Sequence, residues 1–234
     1  MSGTLYGLGI GPGDPDLITL KALKIMQAAP VIAYPAPEGG ESLARSIMAP
    51  HLKGDQVEIV IETPMVPGRF PANAVYDKYA DEIATHLKDG RDVAVLCEGD
   101  PFFYGSFMYL YGRLSTDFKT VVVPGVSSTT ACAAALGMPI ASRYDVLTIL
   151  PGPLPSEELL KRLQHCDAAI IIKVGRHLSK IVDVLGTLGL TENAHYIEHA
   201  SMENQKILPL EEAQFAKAPY FSMILVHKRG EAWK

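Results

Sequence analysis

The sequence predicts an α/β protein of two tandem lobes, each with a mainly parallel central sheet. Three observations carry this reading. Short β-branched runs alternate with amphipathic helical patterns, as in β-α-β units. The 234 residues, 48% of them apolar, suffice for one large domain or two small ones with their own cores. Five strand-like runs precede Gly125 and at least four follow, which divides the chain into 1–124 and 125–234 near Pro124-Gly125. A single larger sheet is the alternative this pattern leaves open.

The first strand is expected at Leu5–Ile10. Thr19 then caps a helix with Leu20, Leu23 and Met26 on one face, stopped near Pro30. Val31–Tyr34, Val57–Ile61, Val93–Cys97 and Thr120–Val123 are further strands. Val75, Tyr79, Ile83 and Leu87 recur every four residues and mark a helix that Gly90 ends. In the second half, Val146–Leu150, Ala168–Lys173, His195–Glu198 and Tyr220–His227 read as strands, with a helix through Leu178, Ile181, Val182 and Leu185. Glu62–Pro71 and Pro151–Pro155 are Pro-rich loops.

Composition narrows the function. Lys and Arg number 21 against 26 Asp and Glu, a net charge of −5, so no overall basic footprint for nucleic acid exists. Mean hydropathy of +0.13 argues against a disordered chain. Cys97, Cys132 and Cys166 have no CxxC spacing and read as reduced, buried residues. No residue between Lys119 and Arg143 is charged. Pro124, Gly125, the hydroxyls Ser127 to Thr130 and Pro139 interrupt that run, so it reads as strand, turn and helix in a soluble core rather than a membrane span. The first residues carry neither a basic nor an apolar leader region, so a soluble, cytoplasmic protein is expected. His195 and His199 are four apart but fall on and after a strand, where that spacing builds no metal face; no protein-bound metal is expected.

Three glycine-bearing loops each follow a strand. Gly7, Gly9, Gly11 and Gly13 alternate in the first, yet Pro12 or Asp14 stands where a dinucleotide fingerprint needs its third glycine. No GxxxxGK[ST] loop for nucleotide phosphates occurs either. In the second, Glu98 and Asp100 flank Gly99, ahead of Phe102, Phe103 and Tyr104. Carboxylates there can accept hydrogen bonds from ribose or an ammonium group, and the rings can wall a pocket; an ordinary turn at a helix start is the competing reading. The third, Pro124 to Thr130, offers more hydroxyls than a helix cap needs.

The segments Gly9 to Ala22, Gly99 to Ser106 and Val122 to Ser128 resemble the S-adenosylmethionine-dependent tetrapyrrole methyltransferases. Cys97 to Leu110, Val146 to Pro155, Lys173 to Leu178 and Pro219 to Val226 narrow the resemblance to the branch that methylates C-20 of precorrin-2 in cobalamin biosynthesis. It covers essentially the whole chain. It implies two α/β domains with the cofactor in the cleft between them, and a homodimer. It places S-adenosylmethionine at Pro12, Glu98, Gly99, Asp100, Phe103, Ser127 and Ser128, and at Lys173, Val174 and Ala200 in the second lobe. Sister enzymes often have Gly-Gly-Asp at Glu98 to Asp100, Met near Lys173 and Gly at Ala200. The cobalt-bearing substrate, or another tetrapyrrole carbon, is the alternative.

The implied reaction moves an already activated methyl group to an electron-rich carbon, so orientation supplies much of the catalysis, on the order of 7–11 kcal/mol. Loss of the C-20 proton needs a base, for which Glu98 and Asp14 are the catalytic candidates. A substrate with eight carboxylates on a protein of charge −5 requires local cations. Arg69 and Arg45 are the expected substrate contacts, together with Tyr104.

Overall fold

The computed structural model describes residues 1–64, 72–213, 217–230 and 232–233. They form two compact units, Met1–Ser127 and Ser128–Lys234, which part just beyond Pro124-Gly125.

The first unit is a five-stranded sheet of β1 (Leu5–Gly9), β2 (Val31–Pro37), β3 (Val57–Thr63), β4 (Val93–Cys97) and β5 (Thr120–Val123), in the order β3-β2-β4-β1-β5. Every pairing is parallel. The covering helices are α1 (Leu20–Ala28), α2 (Leu43–Met48), α3 (Ala72–Lys88) and α4 (Phe107–Leu114). Both sheet faces are therefore buried, which is why β4 is apolar at every position. One face packs Tyr76, Ile83 and Leu87 of α3 with Phe107 and Leu110 of α4; the other packs Ala22 and Met26 of α1 with Ile47 and Met48 of α2.

Thr19 caps α1 through its hydroxyl, which accepts from the Ala22 N–H. Leu20 does not share the buried face and is 74% exposed. Steps of three residues fall short of a full turn, so a stripe drawn backward from Met26 through Leu23 has left the sheet by Leu20.

The second unit holds α5 (Ser128–Leu136), β6 (Leu147–Pro151), α6 (Ser156–Gln164), β7 (Ala168–Ile172), α7 (Leu178–Thr187), β8 (Ala194–Glu198), β9 (Lys206–Leu208), α8 (Leu210–Ala213) and β10 (Ser222–His227). The sheet order is β6-β7-β10-β8-β9. Here the expectation of a mainly parallel sheet needs correction: β6 and β7 pair parallel, but β10 is antiparallel to both β7 and β8, and β9 is antiparallel to β8. Crossovers through α6 and α7 keep β6, β7 and β8 in one direction. After β8 the described residues contain no long crossover helix, so β9 returns as an edge strand and β10 inserts between β7 and β8. Lys173, expected to end a strand, instead turns out of it with φ +56°.

Cys97, Cys132 and Cys166 are free and buried. Among the described residues, no helix is long and apolar enough to cross a membrane and no group of His, Cys, Asp or Glu is arranged for a metal.

Candidate active site

The parallel order of the first sheet sets the loops after β2, β4, β1 and β5 side by side at its carboxyl edge, where open α/β sheets hold ligands. Backbone contact fuses three of them. The Ile10 N–H donates to Cys97 O at 3.0 Å and the Gly99 N–H to Gly11 O at 2.8 Å, so the first loop bridges the second. A Cβ on Gly9 would lie 2.4 Å from Gly125 N, and one on Gly125 would lie 2.1 Å from Gly99 O. Gly9, Gly99 and Gly125 thus touch backbone to backbone, one from each loop.

Asp100 ties the same loops through its side chain. Its Oδ2 accepts the Gly125 N–H at 3.1 Å and its Oδ1 the Phe102 N–H at 2.9 Å. Each carboxylate oxygen keeps lone-pair capacity for a further donor. Phe103 is half-buried and meets the Tyr104 ring edge-on at 5.1 Å. Tyr104 is 45% exposed and takes φ +56°, a conformation that costs a non-glycine residue energy and sets the ring outward.

Glu98 faces the loop after β2. Burial pushes its carboxyl above the ordinary value, while hydrogen bonds from its own N–H and from the Ala44 N–H pull it back. Ala44 is held there because Ser42, which caps α2, also donates to Pro35 O at the end of β2. Neighbouring Arg45 is engaged by Glu58 of β3, Nε to Oε2 at 2.7 Å and Nη2 to Oε1 at 3.0 Å. The Tyr34 hydroxyl donates to the same carboxylate, and burial followed by that bond pushes the phenol up to about 12. Glu58 fixes the guanidinium and occupies one edge of it, leaving Nη1 for another anion.

The remaining candidates in this unit fare differently. Pro12 is buried beside the Gly11–Gly99 bridge. Asp14 caps the short turn Pro15–Leu17, accepting the Asp16 N–H at 2.9 Å. Ser127 ends the unit in the loop after β5. Arg69 lies outside the described residues.

In the second unit, Lys173, Val174 and Ala200 gather at one end of the sheet, beyond β7 and β8, while Ser128 opens α5. The turn there is unusual: φ is +56° at Lys173 and +34° at Gly175, with +49° at His199 and +67° at Ser201. Val174 is fully buried. Ser222, at the start of β10, holds the turn: its hydroxyl accepts the Gly175 N–H at 3.1 Å and donates to Pro219 O at 2.7 Å. The Val174 N–H reaches Ser222 O at 3.4 Å.

Ala44, Ser222, Tyr196 and Glu198 were not anticipated from the sequence. Ala44 acts through its backbone, which leaves no mark in a sequence. Ser222 and Glu198 did leave one, as polar residues at the ends of mostly apolar strands. Two further cations have partners within the protein: Arg113 pairs with Asp77 at 2.7 Å, and Lys180 donates to Gly152 O at 2.9 Å and Leu154 O at 2.5 Å.

Comparison with known proteins accords with this layout. Cobalamin biosynthesis protein CobIJ of Mycobacterium tuberculosis is 43% identical over 233 residues, covering 96% of this chain. The chain spans only 46% of that relative's length. The precorrin-2 C(20)-methyltransferase of a Sinorhizobium species is 40% identical over 96% of this chain and 95% of its own. The cobalt-precorrin-2 C(20)-methyltransferase of Salmonella typhimurium is 32% identical over 99% of each. Among solved structures, the cobalt precorrin-4 methyltransferase CbiF superposes with a TM-score of 0.76 at 24% identity, over 97% of this chain and 96% of that one, a likeness of fold. The family model for Tetrapyrrole (Corrin/Porphyrin) Methylases matches residues 4–216. With three glycine loops fused at a carboxyl edge and a family match over nearly its whole length, the chain belongs to the tetrapyrrole (corrin/porphyrin) methylases.

Proposed function

We propose that this protein transfers the methyl group of S-adenosylmethionine to C-20 of precorrin-2, giving precorrin-3A in cobalamin biosynthesis. The observation that carries the reading is the backbone fusion of Gly9, Gly99 and Gly125 with Asp100 bonded across two of the loops. This is a rigid floor whose remaining acceptor capacity suits ribose hydroxyls, and relatives at 40% and 32% identity are named for C-20 methylation.

The donor supplies an electrophilic methyl group, and the protein supplies position and a proton acceptor. Pro12, Gly99, Asp100 and Phe103, with Ser127 and Ser128, hold it from the first three loops, and Lys173, Val174 and Ala200 from the second unit. Glu98 takes the proton that C-20 loses when the new carbon–carbon bond forms. A carboxylate whose affinity for protons is raised by burial is a stronger base. Asp14, the other candidate, is already occupied as a turn cap. Tyr104, Arg45 and Arg69 receive the tetrapyrrole and its carboxylates. The protein acts in the cytoplasm as a homodimer and holds no metal of its own.

Incubation with methyl-labelled S-adenosylmethionine and metal-free precorrin-2 tests this. Label at C-20 of a product one methylene heavier supports it, and label at another carbon overturns it. Turnover confined to cobalt-precorrin-2, the substrate named for the Salmonella relative, moves the enzyme to the cobalt-bearing branch.

A further inference from the structure

One cation of the second unit is bound to backbone alone. Lys180, in the first turn of α7, is half-buried, and its ammonium donates to Gly152 O at 2.9 Å and to Leu154 O at 2.5 Å. Both acceptors are neutral carbonyls of the Pro-rich loop that follows β6. Burial pushes the ammonium below its ordinary value, and no acidic group among the described residues opposes that shift.

The loop held in this way lies against the Lys173 turn. Pro151 is the register partner of Ile172, and the Gly152 N–H donates to Ile172 O at 2.7 Å, which carries the pairing of β6 and β7 one residue further. A Cβ on Gly152 would lie 2.7 Å from Lys173 O. Backbone thus meets backbone at the residue where the chain takes φ +56°. On the other flank Ser222 accepts the Gly175 N–H through its hydroxyl at 3.1 Å and the Val174 N–H through its carbonyl at 3.4 Å. A non-glycine residue at positive φ costs energy and persists where its surroundings over-determine it. Here the loop after β6 presses on one side and the start of β10 holds the other.

A methionine or leucine at 180 would cover the same surface without desolvating a charge. What an apolar side chain lacks is direction: it would not hold two loop carbonyls at fixed distances from α7. We propose that Lys180 is a positioning residue for the methyl donor, bracing the Gly152–Leu154 loop against Lys173 and thereby setting the affinity for S-adenosylmethionine. This role rests on the placement of the donor at Lys173, Val174 and Ala200 made above.

Lys180→Met tests the brace, since it keeps the apolar stem and removes both hydrogen bonds. Binding of S-adenosylhomocysteine is titrated, and KM is measured for both substrates. Kd for S-adenosylhomocysteine and KM for S-adenosylmethionine should rise about tenfold, the equivalent of one net hydrogen bond. KM for precorrin-2 and kcat should change little. Gly152→Ala should weaken donor binding in the same way with Lys180 intact, because its Cβ pushes on Lys173 O; it carries the test alone if Lys180→Met does not fold. A purely architectural brace would lower the melting temperature of both variants and leave Kd and KM for the donor unmoved, and that result overturns the proposal. Ala200→Leu separates it from the underlying reading. If Ala200→Leu binds as tightly as the wild type, the donor does not lie at this end of the sheet and the placement itself fails. If Ala200→Leu weakens binding and Lys180→Met does not, the brace alone is wrong.

Discussion

The Gly125 N–H donates to Asp100 Oδ2 at 3.1 Å, so a carboxylate from the loop after β4 pins the loop after β5. Oδ1 accepts the Phe102 N–H at 2.9 Å and stiffens its own loop. Asp100→Asn replaces one of these acceptors with an NH2 group that faces another donor. The expected cost is about 1–3 kcal/mol of stability. Affinity for S-adenosylhomocysteine should fall by at least about tenfold. Thermal unfolding and ligand titration of the same preparation check both.

Glycine substitutions should divide by what a methyl group would meet. At Gly9 the obstacle is the Gly125 backbone at 2.4 Å, which no rotamer change relieves. Gly9→Ala must spread the loops, at about 1–3 kcal/mol or more, and weaken ligand binding with it. Gly112, inside α4, meets nothing within 4 Å and needs no unusual φ. Gly112→Ala should raise stability by about 0.5–1 kcal/mol, because alanine loses less backbone entropy in a helix. Denaturant midpoints of the two variants should move in opposite directions.

Local signals in the sequence carried much of this architecture. The bounds expected for β4 and β5 are those observed, since both are short β-branched runs closed by loop residues. The glycine loops stood out in the sequence because their residue types are wrong for a dinucleotide fingerprint yet too many for a turn, and the structure brings them together at one sheet edge. Strand direction after β8 was not legible: alternation of side chains is the same in parallel and antiparallel strands, and only the missing crossover helix distinguishes them. Aromatic placement was partly hidden. Phe107 lies close to Phe103 and Tyr104 in sequence but is core, its ring filling the space beside Gly7 where a Cβ would lie 2.4 Å away. Glu98 was legible as a candidate carboxylate, but its burial, which raises its carboxyl, depends on segments far apart in the chain.

Burial makes Glu98 a case where stability and activity should oppose each other. A carboxyl whose folded value is raised above its unfolded one, about 4.3 for glutamate, destabilises the folded state once pH exceeds the unfolded value. The penalty is complete above the folded value. Glu98→Gln removes the charge and keeps the size and shape of the side chain. It should unfold at higher denaturant than the wild type at neutral pH, with the advantage vanishing below about pH 4. Turnover should fall while S-adenosylhomocysteine binding persists. Retained turnover with weakened binding would make Glu98 a binding residue and remove it from the proton transfer.

Acid sensitivity should arise at the other end of the second sheet. Asp145, just ahead of β6 with 4% of its side chain exposed, accepts from Arg229 at 2.7 Å on Oδ1 and 2.9 Å on Oδ2. The Ser142 N–H donates to Oδ2 at 2.7 Å, and His227 Nε2 approaches it at 3.2 Å. The Arg229 guanidinium, then the Ser142 N–H, hold this carboxyl well below the ordinary carboxylate range. A group with a depressed folded value contributes stability that is complete above its unfolded value, about 3.9 for aspartate. That contribution is lost as pH falls through the folded value. Asp145→Asn should therefore be less stable than the wild type at neutral pH, with the difference closing as both are titrated toward pH 2. Urea midpoints taken from pH 7 downward read this directly, and a gap that stays constant with pH would assign the loss to packing around residue 145 instead of to its charge. Affinity for S-adenosylhomocysteine at neutral pH should be unaffected, since the cluster joins the segment before β6 to the end of β10, away from the turns at Lys173 and Ala200.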